Sequence, residues 1–109
     1  MTTSTFKRAE VSAMISRTLL YGPVPEGSTA IIFSGTFSNM DSTVKGEHLI
    51  TLEIKNSNLQ YIAMFKDVPV PYGGTSKCPK TVLLPGEYLY VSTDANNMIQ
   101  AKVDILERG

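Results

Sequence analysis

The chain has 109 residues and a mass of 11.9 kDa, which is the size of one ordinary domain. Ten basic and ten acidic residues cancel, so the charge balance gives no reason to expect binding to nucleic acid or to an anionic membrane. No apolar run reaches the length of a secretory signal or a membrane span, and we expect a protein that is made and used as a soluble chain.

The first 16 residues differ from the rest of the chain because they show no clean alternation of apolar and polar positions. Phe6, Val11, Met14 and Ile15 fit a weak helical stripe. We predict that residues 1–16 form an N-terminal arm that packs elsewhere, for example on a neighbouring subunit. A loosely ordered tail is the alternative. Residues 17–109 then form the folded domain.

Period-two alternation is the strongest signal in that domain, and it is typical of antiparallel strands with one dry and one wet face. We predict strands in TAIIFSGTFSN, EHLITLEIKN and NMIQAKVDILE. The residues predicted to face the core are Ile31, Phe33, Gly35 and Phe37 in the first, Ile50, Leu52 and Ile54 in the second, and Ile99, Ala101, Val103 and Ile105 in the third. LQYIAMFK and EYLYVST are two further strand candidates that are apolar on both faces.

Turn sequences separate these strands. PVPEGS (23–28), PVPYGG (69–74) and LPGE (84–87) combine proline, which presets φ, with glycine, which supplies positive φ. NMDSTVKG (39–46) and DANN (94–97) have the Asx and glycine chemistry of hairpin loops. The spacing predicts an all-β fold, an antiparallel β-sandwich that is immunoglobulin-like or jelly-roll-like. Val24-Pro25 and Val68–Pro71 are expected to run as edge segments, because proline lacks the N–H that a sheet requires.

The sequence contains no catalytic signature. Its single histidine, His48, has no nucleophile motif around it, and one His and one Cys thirty residues apart do not predict a metal site. P-loop, G-x-G-x-x-G and calcium-loop motifs are absent, so we expect no enzyme activity and no cofactor. The remaining feature that bears on function is a set of apolar residues expected at the surface. Leu49, Ile62, Met64 and Leu106 fall opposite the predicted core faces, as an assembly surface would require.

The order of these elements resembles the small β-sandwich virion proteins of tailed bacteriophages. The resemblance covers residues 19 to 107 and follows turns and strands rather than a catalytic motif. It lies in a tyrosine before a P-x-G turn, a D-V-P-V-P segment, an L-x-P-G-E turn and a closing strand that ends near L-E. These correspond to Tyr21 with Pro25–Gly27, to Asp67–Pro71, to Leu84–Glu87 and to Ile105–Glu107. The arm before Leu19 and the SKCPK stretch (76–80) depart from the pattern.

This resemblance implies a non-enzymatic structural role in many copies, as a capsid decoration or cement protein on the outer head surface. The implied partners are the major capsid protein or other virion proteins, and the protein itself in a homotrimer or another cyclic oligomer. Its location would be the virion, assembled in the host cytoplasm. A neck or tail component is one alternative. A carbohydrate-binding module that stacks sugars on Tyr61, Tyr72, Tyr88 or Tyr90 is another.

Seven exposed or apolar residues are the predicted interface. They lie in the arm and in the proline-rich loop: Phe6, Val11, Met14, Ile15, Pro69, Pro71 and Tyr72.

Overall fold

A computed structural model describes residues 4–41 and 46–109 of the chain. The described residues form nine strands and no helix. The strands are β1 (Ser4–Ser12), β2 (Thr18–Tyr21), β3 (Thr29–Asn39), β4 (His48–Lys55), β5 (Tyr61–Val70), β6 (Thr75–Lys77), β7 (Thr81–Leu83), β8 (Tyr88–Thr93) and β9 (Ile99–Arg108). Residues 1–3 of the predicted arm and 42–45 of the predicted turn at 39–46 lie outside the described residues.

The strands form two antiparallel sheets. The first has the order β1-β9-β3, and both short strands β6 and β7 pair with the far edge of β3. The second has the order β2-β8-β4-β5. Apolar residues from both sheets meet in one core, where Phe37 of the first sheet packs edge-to-face on Phe65 of the second at 5.8 Å between ring centroids. The predicted all-β sandwich is confirmed.

The predicted core face is confirmed throughout β9 and in most of β4. Ile99, Ala101, Val103 and Ile105 are buried, and so are Ile50 and Leu52, while Ile54 packs on the core from a half-buried position. Of the predicted two-faced strands, β8 has a buried row at Leu89 and Val91, and β5 is an edge strand with exposed residues on both faces.

The prediction for β3 is correct at Gly35 and Phe37 and wrong at Ile31 and Phe33. The pairing of β3 with β9 shifts register between Ile32 and Ser34, so one extra residue is inserted at Phe33. Because side chains alternate along a strand, this bulge reverses the faces of the residues before it. Ala30 and Ile32 are therefore buried in the core, and Phe33 is exposed.

The three predicted Pro/Gly turns share one geometry. In each, an i→i+3 backbone hydrogen bond closes the turn, and the glycine at the third position has positive φ, as a type II turn requires. The bonds run from Ser28 to Pro25, from Gly74 to Pro71 and from Glu87 to Leu84. Each turn carries the chain from one sheet to the other. The proline and glycine turns therefore mark the points where the chain passes from one sheet to the other.

The predicted helical stripe in residues 1–16 is wrong, because Ser4–Ser12 is a strand paired with β9 along its whole length. Ala9 and Val11 of this strand pack on the core. Ala13 is fully buried, and its backbone bonds to Ile99 and Asn97 at the crossing between the two sheets. An N-terminal arm separate from the sandwich is therefore not confirmed, because residues 4–12 form the edge strand of the first sheet.

Cys78 is the cysteine of the chain. Cys78 is buried beside Gly35, and burial raises the pKa of its thiol to about 11. At neutral pH the group is a protonated, weakly reactive thiol.

Candidate interaction surface

A row of apolar side chains crosses the outer face of the first sheet. Strand pairing places Phe6 of β1 opposite Leu106 of β9, Leu106 opposite Ile31 of β3, and Ile31 opposite Val82 of β7. The row therefore spans the sheet from one edge to the other. We call Phe6, Leu106, Ile31, Val82 and Phe33 the apolar row.

Phe33 joins this row because of the β3 bulge. Its ring packs edge-to-face on Phe6, with 6.0 Å between centroids. Phe6 is 73% exposed, Val82 56% and Phe33 46%, while Ile31 and Leu106 are half-buried between them. Isolated exposed apolar residues are common, but a contiguous set on a regular sheet face is typical of a contact surface.

One ion pair borders the apolar row on the outer face, where Arg8 lies 2.8 Å from Asp104. A second pair, Lys7 at 3.0 Å from Glu107, lies on the inner side of β1. With Phe6 and Phe33, the residues Lys7, Arg8 and Asp104 line a shallow cavity of about 460 Å³. The hydrogen bond from Arg8 is the main reason that the pKa of Asp104 is lowered. The surface thus has an apolar centre and a charged, internally neutralised rim, as many protein interfaces do.

The structure separates the seven predicted interface residues into distinct regions. Phe6 lies in the apolar row. Val11 and Met14 are half-buried, and Val11 packs on the core. Ile15 is exposed beside Asn96, whose side chain accepts its backbone N–H.

The proline loop lies at the other end of the sandwich from Phe6. Pro69, Pro71 and Tyr72 are exposed there, close to the end of β3, where Gly74 bonds to Asn39. The eight residues of β3 between the levels of Ile31 and Asn39 correspond to roughly 26 Å.

Sequence reasoning missed Ile31, Phe33 and Val82. The β3 bulge hid the first two, and β7 has only three residues, too few to show alternation. Leu106 was recognised as lying opposite the core face, and the structure places it in the row.

The outer face of the second sheet carries a groove of about 740 Å³ that is lined by both polar and apolar residues. Arg17 pairs with both carboxylate oxygens of Glu53, at 3.0 and 3.2 Å, and its guanidinium lies 3.8 Å from the centre of the Tyr61 ring. Tyr61, Tyr90 and Tyr88 form a chain of ring contacts at 5.6 and 6.1 Å. Three of the four predicted sugar-stacking tyrosines are thus together, and Tyr72 is elsewhere. Arg17 covers a face of Tyr61 that a sugar ring would otherwise stack on.

His48 stands at the start of β4 between two carboxylates. Its Nε2 lies 2.8 Å from Asp41 and its Nδ1 3.0 Å from Asp94. The hydrogen bond with Asp41 is the largest cause of the raised pKa of His48, and the bond with Asp94 adds to it. Burial raises the pKa of Asp94, but bonds from His48, the Leu49 backbone and Thr93 outweigh it and lower the pKa overall.

Among the described residues, this cluster is an ion-pair network centred on one imidazole ring. Both ring nitrogens of His48 face carboxylate oxygens, so neither is directed at a nucleophile or a metal ion. Across residues 4–41 and 46–109, no three His, Cys, Asp or Glu side chains are grouped as metal ligands. The same residues include no helix long and apolar enough to cross a membrane.

Comparison with known proteins identifies the fold but no family. No protein-family model matches the chain, and no curated protein matches its sequence. Among solved structures, a chain of the Bacillus endospore appendages, a family of disulfide-linked pili, shares the fold at a TM-score of 0.58 and 11% identity, over 98% of this chain and 86% of that one. A chain from the acid-stable capsid of Helicobacter pylori bacteriophage KHP30 shares the fold at a TM-score of 0.57 and 8% identity. That match covers 100% of this chain and 94% of the capsid chain.

A chain of the infectious bursal disease virus Gx strain matches at a TM-score of 0.50 and 12% identity. The match covers 99% of this chain and 33% of that one. The structural neighbours therefore include phage capsid, virus and pilus chains. At these identities the likeness shows a common fold, which is a β-sandwich found in assembled structures.

Proposed function

We propose that the chain is a non-enzymatic structural protein of a virion. In this proposal it is of the capsid decoration or cement type, which binds the outer surface of the head and stabilises joints between major capsid subunits. The observation that carries the proposal is the apolar row across the outer face of the first sheet. A free monomer would expose this surface to water, whereas an assembly would bury it.

The fold likeness supports the same proposal. The sandwich matches a chain of the KHP30 capsid along essentially its whole length. A decoration protein needs only modest contacts per copy, because many copies bound across the joints of a shell accumulate stability through multivalency.

The likeness to a pilus chain gives weaker support to a second role, as a subunit of a disulfide-linked fibre. The neighbouring pili are disulfide-linked, whereas this chain has one cysteine, which is buried and has a pKa raised to about 11. A buried thiol of this kind is a poor candidate for a bond between subunits.

Polar replacement within the apolar row tests the proposal. In the double variant Phe6→Ser and Val82→Ser, two exposed side chains lose their apolar area, so the free energy of unfolding should change by about 1 kcal/mol or less in total. Binding to particles of the virus that encodes the chain should weaken by about tenfold or more, since burial of apolar area contributes roughly 25 cal/mol per Å². Co-sedimentation of the purified protein with particles lacking it measures this binding.

Ile62→Ser is the matched control, because Ile62 is also an exposed apolar residue but belongs to β5 of the second sheet. It should bind like the wild type. If the double variant binds as tightly as Ile62→Ser, the apolar row is not the contact surface.

A further inference from the structure

β1 differs from the other sheet edges in the described part of the chain. It has nine residues, pairs with β9 without a register shift, and contains neither proline nor glycine. Such an edge offers a regular row of backbone donors and acceptors to another strand.

The other edges have features that limit strand addition. β5 has two register shifts and contains Pro69, and Asp67 in it has φ 54°. β2 has four residues and a register shift, and β6 and β7 have three residues each. Short, bulged or proline-containing edges accept an added strand poorly.

The free backbone groups of β1 follow from its pairing. The N–H of Ala13 donates to Ile99, and antiparallel pairing alternates between residues that bond to the partner strand and residues that bond outward. Residues 11 and 9 therefore bond toward β9. The N–H and C=O groups of Phe6, Arg8, Glu10 and Ser12 point to the open side.

The charges on β1 do not block an added strand. Lys7 and Arg8 are each paired within their own chain, to Glu107 and Asp104. Glu10 is exposed and lies opposite Lys102 of β9, but among the described residues its carboxylate has no cation within 4 Å. An added strand that places a cation opposite Glu10 would therefore gain an attraction.

In one register, the β1 strand of a second copy places a cation opposite Glu10. In antiparallel pairing of two copies, Arg8 opposite Arg8, Lys7 opposite Lys7, or Glu10 opposite Glu10 each brings like charges together, which is destabilising. When Ala9 lies opposite Ala9, residues 6 to 12 of both copies pair, and Arg8 of each copy faces Glu10 of the other. Three registers pair seven or more residues of the strand, and they are centred on residues 7, 8 and 9. Of these three, only the register centred on Ala9 places no like charges directly opposite.

We propose that two copies of the chain associate through β1, antiparallel, with Ala9 at the two-fold axis. The first sheets of the two copies then form one continuous sheet. A two-fold axis perpendicular to that sheet keeps both apolar rows on the same side, where one partner surface can contact both. The pairing itself does not depend on the proposed function, because it is a property of the purified protein.

A charge reversal at Glu10 tests the pairing. Glu10→Lys turns both Arg8–Glu10 attractions into repulsions, and cross-strand pairs of this kind shift the dimer dissociation constant by about tenfold. Sedimentation equilibrium should show a dimer for the wild type and for the control Glu26→Lys, which makes the same change in an exposed turn, and a shift toward monomer for Glu10→Lys. A monomeric wild type, or equal dimerisation of the two variants, would overturn the proposal.

Single cysteines test the register. Ala9→Cys places two thiols opposite each other at the axis, within the 4.4–6.8 Å between Cα atoms that a disulfide spans. Lys7→Cys is the control, since the two copies of residue 7 are offset by four positions, roughly 14 Å. Under mild oxidation, non-reducing electrophoresis should show a covalent dimer for Ala9→Cys and not for Lys7→Cys. Cross-linking at residue 7 but not at residue 9 would overturn the proposed register.

Loss of dimerisation and loss of particle binding are separate readouts. If the wild type is a monomer but binds particles through the apolar row, the β1 inference fails and the proposed function stands. If the wild type forms the β1 dimer but does not bind particles, the β1 inference stands and the proposed function fails.

Discussion

His48 shows how a single side chain can connect distant parts of the sandwich. Its ring lies at the start of β4, Asp41 follows β3, and Asp94 follows β8. Both carboxylates hydrogen-bond the same ring, and its pKa is raised from the ordinary value of 6.5. A raised pKa in the folded state means that folding strengthens proton binding, so the charged ring stabilises the fold.

The pH dependence of stability follows from this shift. The contribution of His48 is fully present below the unfolded pKa of 6.5 and is lost as pH rises through the higher folded pKa. The lowered pKa of Asp94 adds stability that is present above its ordinary value of 3.8 and is lost as pH falls. Both contributions are therefore in place near pH 5 to 6, on the ordinary pKa scale.

We expect His48→Gln to lower the free energy of unfolding most at about pH 5 to 6 and progressively less toward about pH 9. Urea denaturation of the wild type and the variant across this range measures the difference. A difference that stays constant, or that increases above pH 6.5, would show that the charged form of His48 does not stabilise the fold.

Gly35 of β3 lies where neighbouring chain segments leave no room for a side chain. A Cβ atom at this position would lie 2.8 Å from the Cβ of Cys78, 2.8 Å from a methyl group of Val103 and 2.9 Å from the Lys102 carbonyl oxygen. Two of these neighbours are a backbone atom and a Cβ, which cannot move without the chain. Because Gly35 and these neighbouring atoms are packed inside the protein, an added methyl group has no open space to move into.

Gly35→Ala should therefore destabilise the protein by about 1–3 kcal/mol through overpacking. Ser34→Ala is the neighbouring control, since it removes only an exposed 3.3 Å hydrogen bond to Asp104 and should cost about 0.5 kcal/mol or less. Thermal unfolding followed by circular dichroism compares the two. Equal melting temperatures would mean that β3 can move away from Cys78 and Val103.

The strands that sequence predicts best are those in which one face is buried without interruption. β9 is the clearest case, because its alternation continues unbroken from Ile99 to Ile105 and the structure buries every second residue. The turns were also predictable, since proline and glycine have strong local preferences. The positions of proline and glycine therefore predicted where the chain passes between the sheets, and the alternation predicted the strands.

Other features depend on contacts that local patterns do not encode. The bulge at Phe33 reverses one end of β3, and no local residue signals it. β1 lacks alternation because its outer face holds Phe6, Arg8 and Glu10 while Lys7 lies on its inner face, paired with Glu107 of β9. The apolar row involves four strands far apart in sequence, so it becomes visible only when their pairing is known.

At the scale of the whole molecule, two neighbouring surfaces of the first sheet have separate roles in our account. The apolar row faces a partner, and the β1 edge joins a second copy. The second sheet has a groove of mixed polar and apolar lining on its outer face, and its edges are short, bulged or contain proline. A protein whose two associating surfaces lie together on one sheet is suited to lie on a larger surface.

The central claim is that the protein is a repeated structural component of a virion that contacts the shell through the apolar row. Cryo-electron microscopy of particles that contain the chain tests this most directly, with the copies counted and their orientation resolved. We predict copies across the whole head, with Phe6, Ile31 and Val82 against the major capsid protein. Six or twelve copies at one vertex, or copies that contact the shell through the second sheet, would contradict the decoration proposal, and absence from the particles would contradict a structural role in the virion.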